Sequence, residues 1–226
     1  MRADVDLRSL IGADVLDQGT RPTCVAFASS ASHEALQGGM SPEHFAPEAI
    51  WWQAARSGYA SAAGMVLDHA DAGLSGYGQP ELIAWPYNCL LGAGTEEPPK
   101  GLEPPWRRAR LRPVPLRHDG VEDPIEDELA LNRPIVLVIE VTDAFHLPDD
   151  TGIVQVPDLR ANPGGYHAVT CVGAANHPAR GRLLLIKNSW GTAWGRGGYC
   201  WLPVDYLTAF AVQAATIIEI EEEPDD

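Results

Sequence analysis

The chain has 226 residues, 45% of them hydrophobic, which is enough to bury a sizeable core in one large domain or in two lobes. Sixteen Lys and Arg stand against 31 Asp and Glu, a net charge of −15, so nucleic acid and anionic membranes are not expected partners. No stretch approaches the roughly 20 apolar residues of a membrane span, and the charged start "MRADVDLRSLIGADV" lacks the apolar core of a secretory signal.

In chain order, a short extended arm precedes "DQGTRPTCVAF", a polar turn that enters a helix through Cys24. "CVAFASSASHEALQGG" places Cys24, Phe27, Ala28, Ala31 and Ala35 on one face of small apolar residues, which suits a helix in the middle of a fold. Gly38 and Gly39 supply its stop. "SPEHFAPEAIWWQAARSG" predicts a second helix, and "MVLDHADAG" a shorter one ended by Gly73. From Pro86 to about Pro115 the chain is rich in Pro, Gly and charge and reads as a long surface loop or crossover. "WRRARLRPVPLR" within it is either a solvated crossover or a dock for an acidic partner.

Beyond Pro115 the period changes. "RPIVLVIEV", "YHAVTCVGA", "RLLLIKNSW" and "GGYCWLPV" read as strands, with a helical "VEDPIEDELALN" before the first of them. A helical half followed by a strand half predicts an α+β protein of two lobes, over residues 12–112 and 113–213, with an acidic tail at 219–226.

A thiol reacts as its thiolate, which the N-terminus of a helix stabilises. Cys24 has that position, and on this ground alone it is either a nucleophile or a buried structural thiol. The four cysteines form neither a CxxC pair nor a zinc pattern, so no metal is expected and free thiols in a reducing cytosol are the simplest reading. Cys171 and Cys200 read as core thiols, and Cys89 as exposed. No nucleotide or calcium motif is present, so no cofactor is expected.

A catalytic cysteine needs a histidine base and a group to orient it. His33 lies about 13 Å along the same helix and cannot serve, and His44, His69, His118, His146 and His177 suit surface roles. His167 opens an apolar strand, and Asn188 ends another.

Together these stretches resemble the papain-like cysteine peptidases. "NSWGTAWGRGGY" carries the family's "NSWGxxWGxxGY", "VDLRS" is similar to its mature start, "DQG" to its oxyanion turn, and "CVAF" to its "CWAF". "ELIAWPYN" and "DAFHLPDDTGIV" resemble further family segments, and the 143 residues from Cys24 to His167 fit the family's spacing. The resemblance implies a papain-like two-lobe fold, a helical lobe followed by a strand-rich, β-barrel-like lobe with the cleft between them. The whole chain, 1–226, would be one peptidase domain.

The same resemblance implies the roles. Cys24 is the expected thiolate nucleophile paired with an imidazolium on His167, Asn188 the residue that orients the ring, and Gln18 the side-chain donor to the oxyanion, with the Cys24 backbone N–H as second donor. Trp190 is expected to cover the His167–Asn188 contact and Trp194 to line the leaving-group side, with plain core as the alternative for both. Gly64, Val138, Gly165 and Ala168 are expected at the substrate pocket. The implied activity is cleavage of peptide or protein substrates through a thioester. A transpeptidase or deamidase with the same chemistry, and a silent peptide-binding module, are the alternatives. A protein inhibitor or regulatory partner, and a bacterial, cytosolic enzyme made without a propeptide, complete the expectation.

The chain departs from the pattern at "RPTC", where "CGSC" is usual. Arg21 replaces a cysteine that commonly forms a disulfide, Thr23 is a candidate helix cap, and Val25 replaces a tryptophan.

Overall fold

The computed structural model describes residues 2–117, 119–157 and 165–220. His118 and most of the acidic tail, residues 221–226, therefore lie outside the described residues. The first half carries strand β1 (Val5–Asp6) and helices α1 (Cys24–Glu34), α2 (Pro47–Arg56) and α3 (Leu67–Gly76). The second half contains β2 (Arg110–Pro113), α4 (Asp123–Ala130), β3 (Ile135–Glu140), α5 (Asp143–His146), β4 (Tyr166–His177), β5 (Gly181–Lys187), β6 (Tyr199–Pro203), α6 (Val204–Phe210) and β7 (Ala211–Ile218).

The α+β, two-lobe expectation holds. An antiparallel sheet in the order β2-β7-β3-β4-β5-β6 forms the second half, and the N-terminal arm adds β1 to β4. Gly173 permits that crossing, because the Val5 carbonyl occupies the space a Cβ would need. Strand β3 is buried on both faces, and its alternation separates two cores. Ile135, Leu137 and Ile139 join the core that includes α4 and α6, through Ile125, Leu129, Tyr206 and Phe210. Val136 and Val138 face the core made by α1, α2 and α3.

Several local expectations need correction. Helix α2 starts at Pro47, because proline's fixed φ and missing N–H suit the first turn, and residues 41–46 remain outside it. Helix α3 runs through Gly73, which packs against Gln53, and ends at Gly76. The proline-rich segment contains strand β2, whose partner β7 had no prediction; β7 has three alanines, an exposed Val212 and Gln213 and a polar Thr216, so it lacks a strong apolar signal. The segment also contributes Leu102 and Trp106 to an aromatic cluster with Trp52 and Trp85. Within "WRRARLRPVPLR", Arg107 donates to the Leu36 carbonyl and Arg112 pairs with Glu128 at 2.7 Å, so these two cations are occupied inside the fold.

Helix α1 is enclosed more completely than one apolar stripe implies. Ser29, Ser30, Ser32, His33 and Glu34 are buried along with Val25 to Ala28. His33 stacks on Phe45 at 4.3 Å, and its Nδ1 lies 3.0 Å from Gln79 Oε1. Burial holds its pKa down at about 4. The unfolded chain takes up that proton near pH 6.5, so between these values the unfolded state binds more protons and stability falls as pH is lowered. The expected outcome is a urea midpoint that drops from pH 6.5 to 4.5 more steeply in the wild type than in His33→Gln. The full contribution is about 1.4 kcal/mol per pH unit.

Candidate active site

Cys24 is the first residue of α1 and is partly buried. Thr23 precedes it in the capping position, but its side chain makes no capping bond; Thr23 Oγ1 instead lies 2.8 Å from the Tyr87 hydroxyl. The backbone N–H groups of Ala168, next to His167 on β4, of Val25 and of Cys24 itself act on the Cys24 sulfur in the direction that lowers its pKa. These donors favour the thiolate, as a helix start should. Burial outweighs them and pushes the thiol's pKa up.

His167 and Asn188 come together because β4 and β5 are antiparallel neighbours, paired from Thr170 and Lys187 onward. His167 Nε2 lies 2.7 Å from Asn188 Oδ1, which also accepts the Ser189 N–H at 2.8 Å. Asn188 Oδ1 thereby takes the ring N–H and fixes the tautomer that leaves Nδ1 able to accept a proton. Burial lowers the His167 pKa to about 4, against the opposing Asn188 contact. Trp190 stacks on the His167 ring at 4.6 Å and covers it, and His146 stacks on Trp190 at 5.3 Å. Trp194 packs edge-on to Trp190 at 5.6 Å and against Phe145 at 5.1 Å.

Gln18 is buried, and its backbone N–H donates to the Ser189 carbonyl at 2.8 Å. Its side-chain Oε1 accepts from Ser189 Oγ at 2.6 Å, and its Nε2 donates to the Arg21 carbonyl at 2.7 Å. This orientation leaves the second amide N–H as a free donor. Ser189 was not singled out in the sequence, although it sits inside the "NSW" motif; its role depends on contact with Gln18, 171 positions away.

A cavity of about 460 Å³ opens beside Cys24 and His167, lined by Gly64, Val138 and Ala168 together with Met65, His69 and Gln213. Three of the expected pocket residues therefore share one cavity with the thiol. Gly165 and Trp194 lie outside that lining, and the Gly165 carbonyl instead accepts from the Val141 N–H. Not every remaining histidine is a surface group. His44 is largely buried against Glu34 at 3.0 Å, and His69 stacks on Tyr59 at 4.3 Å in the cavity wall. All four cysteines are free, with Cys171 and Cys200 buried and Cys89 exposed. Among the described residues no cluster of His, Cys, Asp and Glu is arranged to hold a metal ion.

The family model of papain family cysteine proteases matches residues 110–217. The chain is similar to a peptidase C1-like protein of Acanthamoeba polyphaga mimivirus, with 37% identity over 85 residues, 37% of this chain and 26% of that one. It is also similar to a cathepsin L-like proteinase of Fasciola hepatica, with 25% identity over 191 residues, 82% of this chain and 55% of that one. The chain thus spans between about a quarter and about half the length of these curated relatives. Among solved structures, xylellain, a cysteine protease from Xylella fastidiosa, matches with a TM-score of 0.75 at 22% identity, covering 98% of this chain and 87% of that one. Bromelain from Ananas comosus, solved in complex with an inhibitor, matches with a TM-score of 0.72 at 18% identity, covering 97% and 100%. The chain has the papain-like fold, and its strand-rich half matches the papain-family model.

Replacing Ser189 with Ala removes the hydroxyl that orients the Gln18 amide and leaves the His167–Asn188 contact in place. The expected result is a loss in kcat of about tenfold with KM nearly unchanged, because one misaligned donor forfeits part of the stabilisation of an oxyanion. Steady-state kinetics on a peptide amide checks it.

Proposed function

We propose that the protein is a cysteine endopeptidase that cleaves peptide bonds through a thioester formed on Cys24. The observation that carries this reading is the His167 Nε2–Asn188 Oδ1 contact of 2.7 Å beside a cavity that Cys24 and His167 both line. The similarity to papain-family cysteine proteases supports it.

Burial acts oppositely on the two reacting groups, raising the thiol and lowering the imidazole. Neither ion is favoured alone, so the proton moves from sulfur to ring as the pair forms, each charge stabilising the other. Cys24 sulfur attacks the amide carbonyl, and the carbonyl electrons move onto oxygen. That oxyanion accepts hydrogen bonds from the free Gln18 amide N–H and from the Cys24 backbone N–H. Collapse of the intermediate breaks the C–N bond, and the amine leaves with the proton held by His167. Water, deprotonated by His167, then attacks the thioester; the acid is released and the proton returns to the thiol.

The cavity wall formed by Gly64, Val138 and Ala168 suits an apolar side chain of the substrate on the acyl side of the cleaved bond. Gly165 near this wall and Trp194 on the leaving-group side remain part of the proposed binding surface. Four free thiols support a reducing, cytosolic setting.

Cys24→Ala is expected to abolish cleavage of an unstructured protein, read by mass spectrometry, while leaving the circular dichroism spectrum unchanged; a variant that still cleaved would overturn the reading. kcat/KM is expected to fall as pH is lowered through about 4, where His167 becomes protonated in the free enzyme and can no longer take the thiol proton.

A further inference from the structure

The turn from Gln18 to Cys24 is anchored by a buried ion pair. The Arg21 side chain and the Glu48 side chain are both 0% exposed, and Arg21 Nη1 donates to Glu48 Oε2. Arg21 Nη2 donates to Glu48 Oε1 at 3.2 Å and to the Gly94 carbonyl at 2.8 Å. Nη1 also reaches the Asn88 carbonyl at 2.9 Å, and Nε the Gly92 carbonyl at 3.0 Å. All five guanidinium N–H bonds are therefore used. Thr95 Oγ1 donates to Glu48 Oε1 at 2.8 Å and completes the carboxylate's shell.

The Tyr87 ring lies against this guanidinium, 4.7 Å from its carbon. The Tyr87 hydroxyl donates its one proton to the Gln18 carbonyl at 3.0 Å, so at the 2.8 Å contact it accepts from Thr23 Oγ1. One oxygen atom thus bridges the two ends of the turn. Gln18 bears the side-chain oxyanion donor, and the peptide after Thr23 presents the Cys24 N–H. An oxyanion is held only if both donors lie about 2.7–3.1 Å from the same point, so the separation of these ends bears directly on rate.

We propose that Tyr87, seated on the buried Arg21–Glu48 pair, is a positioning residue that sets the spacing of the two oxyanion donors. It rests on the peptidase reading above and adds to it a residue that touches neither substrate nor thiol. Arg21, standing where the family pattern has a cysteine, is here half of an ion pair that fixes the loop carrying Tyr87.

Alkylation separates a positioning role from a structural one. When iodoacetamide reacts with Cys24, the sulfur–carbon bond forms at the methylene as the carbon–iodine bond breaks and iodide leaves, so no oxyanion develops. Tyr87→Phe keeps the ring on Arg21 and removes only the bridging hydroxyl. The expected result is a fall in kcat for a peptide amide of about tenfold, with KM and the alkylation rate each within about twofold of wild type. In a Gln18→Ala background the same change is expected to cost less than about threefold, because the donor being positioned is gone. Glu48→Gln, if it remains folded, gives the same split. An unchanged kcat in Tyr87→Phe, or equal loss in hydrolysis and alkylation, overturns the proposal. A wild type that is alkylated yet hydrolyses nothing overturns the peptidase reading itself.

Discussion

Helix α1 passes through the middle of the protein with almost every side enclosed, and a helix so placed must find partners for its polar side chains inside the fold. It largely does. Ser30 Oγ donates to the Ala26 carbonyl at 2.8 Å, and Ser32 Oγ to the Pro134 carbonyl at 2.9 Å. Glu34 accepts the Gly12 N–H at 2.8 Å and pairs with His44. Each such group left unpaired would cost about 1–3 kcal/mol. These contacts determine how the helix can lie, and Thr170 Oγ1, donating to the Ala28 carbonyl at 3.2 Å, ties it to β4. The start of α1 therefore arrives beside β4, where Cys24 shares a cavity wall with His167 and Ala168.

From that fixed point the cleft is built by segments far apart in the chain. Strands β4 and β5 bring His167 to Asn188, and the residue after Asn188 reaches back to Gln18, so one short peptide orients both the ring and the amide. Lys187, immediately before Asn188, is buried and donates to the Gly12 carbonyl at 2.8 Å, which ties the end of β5 to the N-terminal segment. On the other side of the thiol, Arg21 and Glu48 would each be a costly buried charge alone and are tolerable only as a fully hydrogen-bonded pair.

Enclosure also sets the electrostatics. A thiol at a helix start in water would be expected below its usual pKa. Here the surroundings that position Cys24 also bury much of it, and they bury His167 as well. Burial thereby works against either charge taken singly, and an ion of opposite sign beside it works the other way.

The sequence by itself determined a good deal. Periodicity and punctuation gave the division into a helical and a strand half, the start of α1 at Cys24, and four of the main strands, because apolar alternation is a local property. The family resemblance singled out Cys24, His167, Asn188 and Gln18 as candidates. Tertiary structure alone decided the rest. Strand β7 forms because β2 and β3 flank it, although three of its eight residues are alanine and Val212 and Gln213 are exposed. Ser189 acquires its place from a contact with Gln18, and Tyr87 from contacts with Gln18, Thr23 and Arg21, none of which leaves a mark in local composition. The direction of the Cys24 shift was likewise beyond the sequence. A helix start is legible from local pattern, but the extent of burial around it depends on how distant segments pack, and here burial is the larger effect.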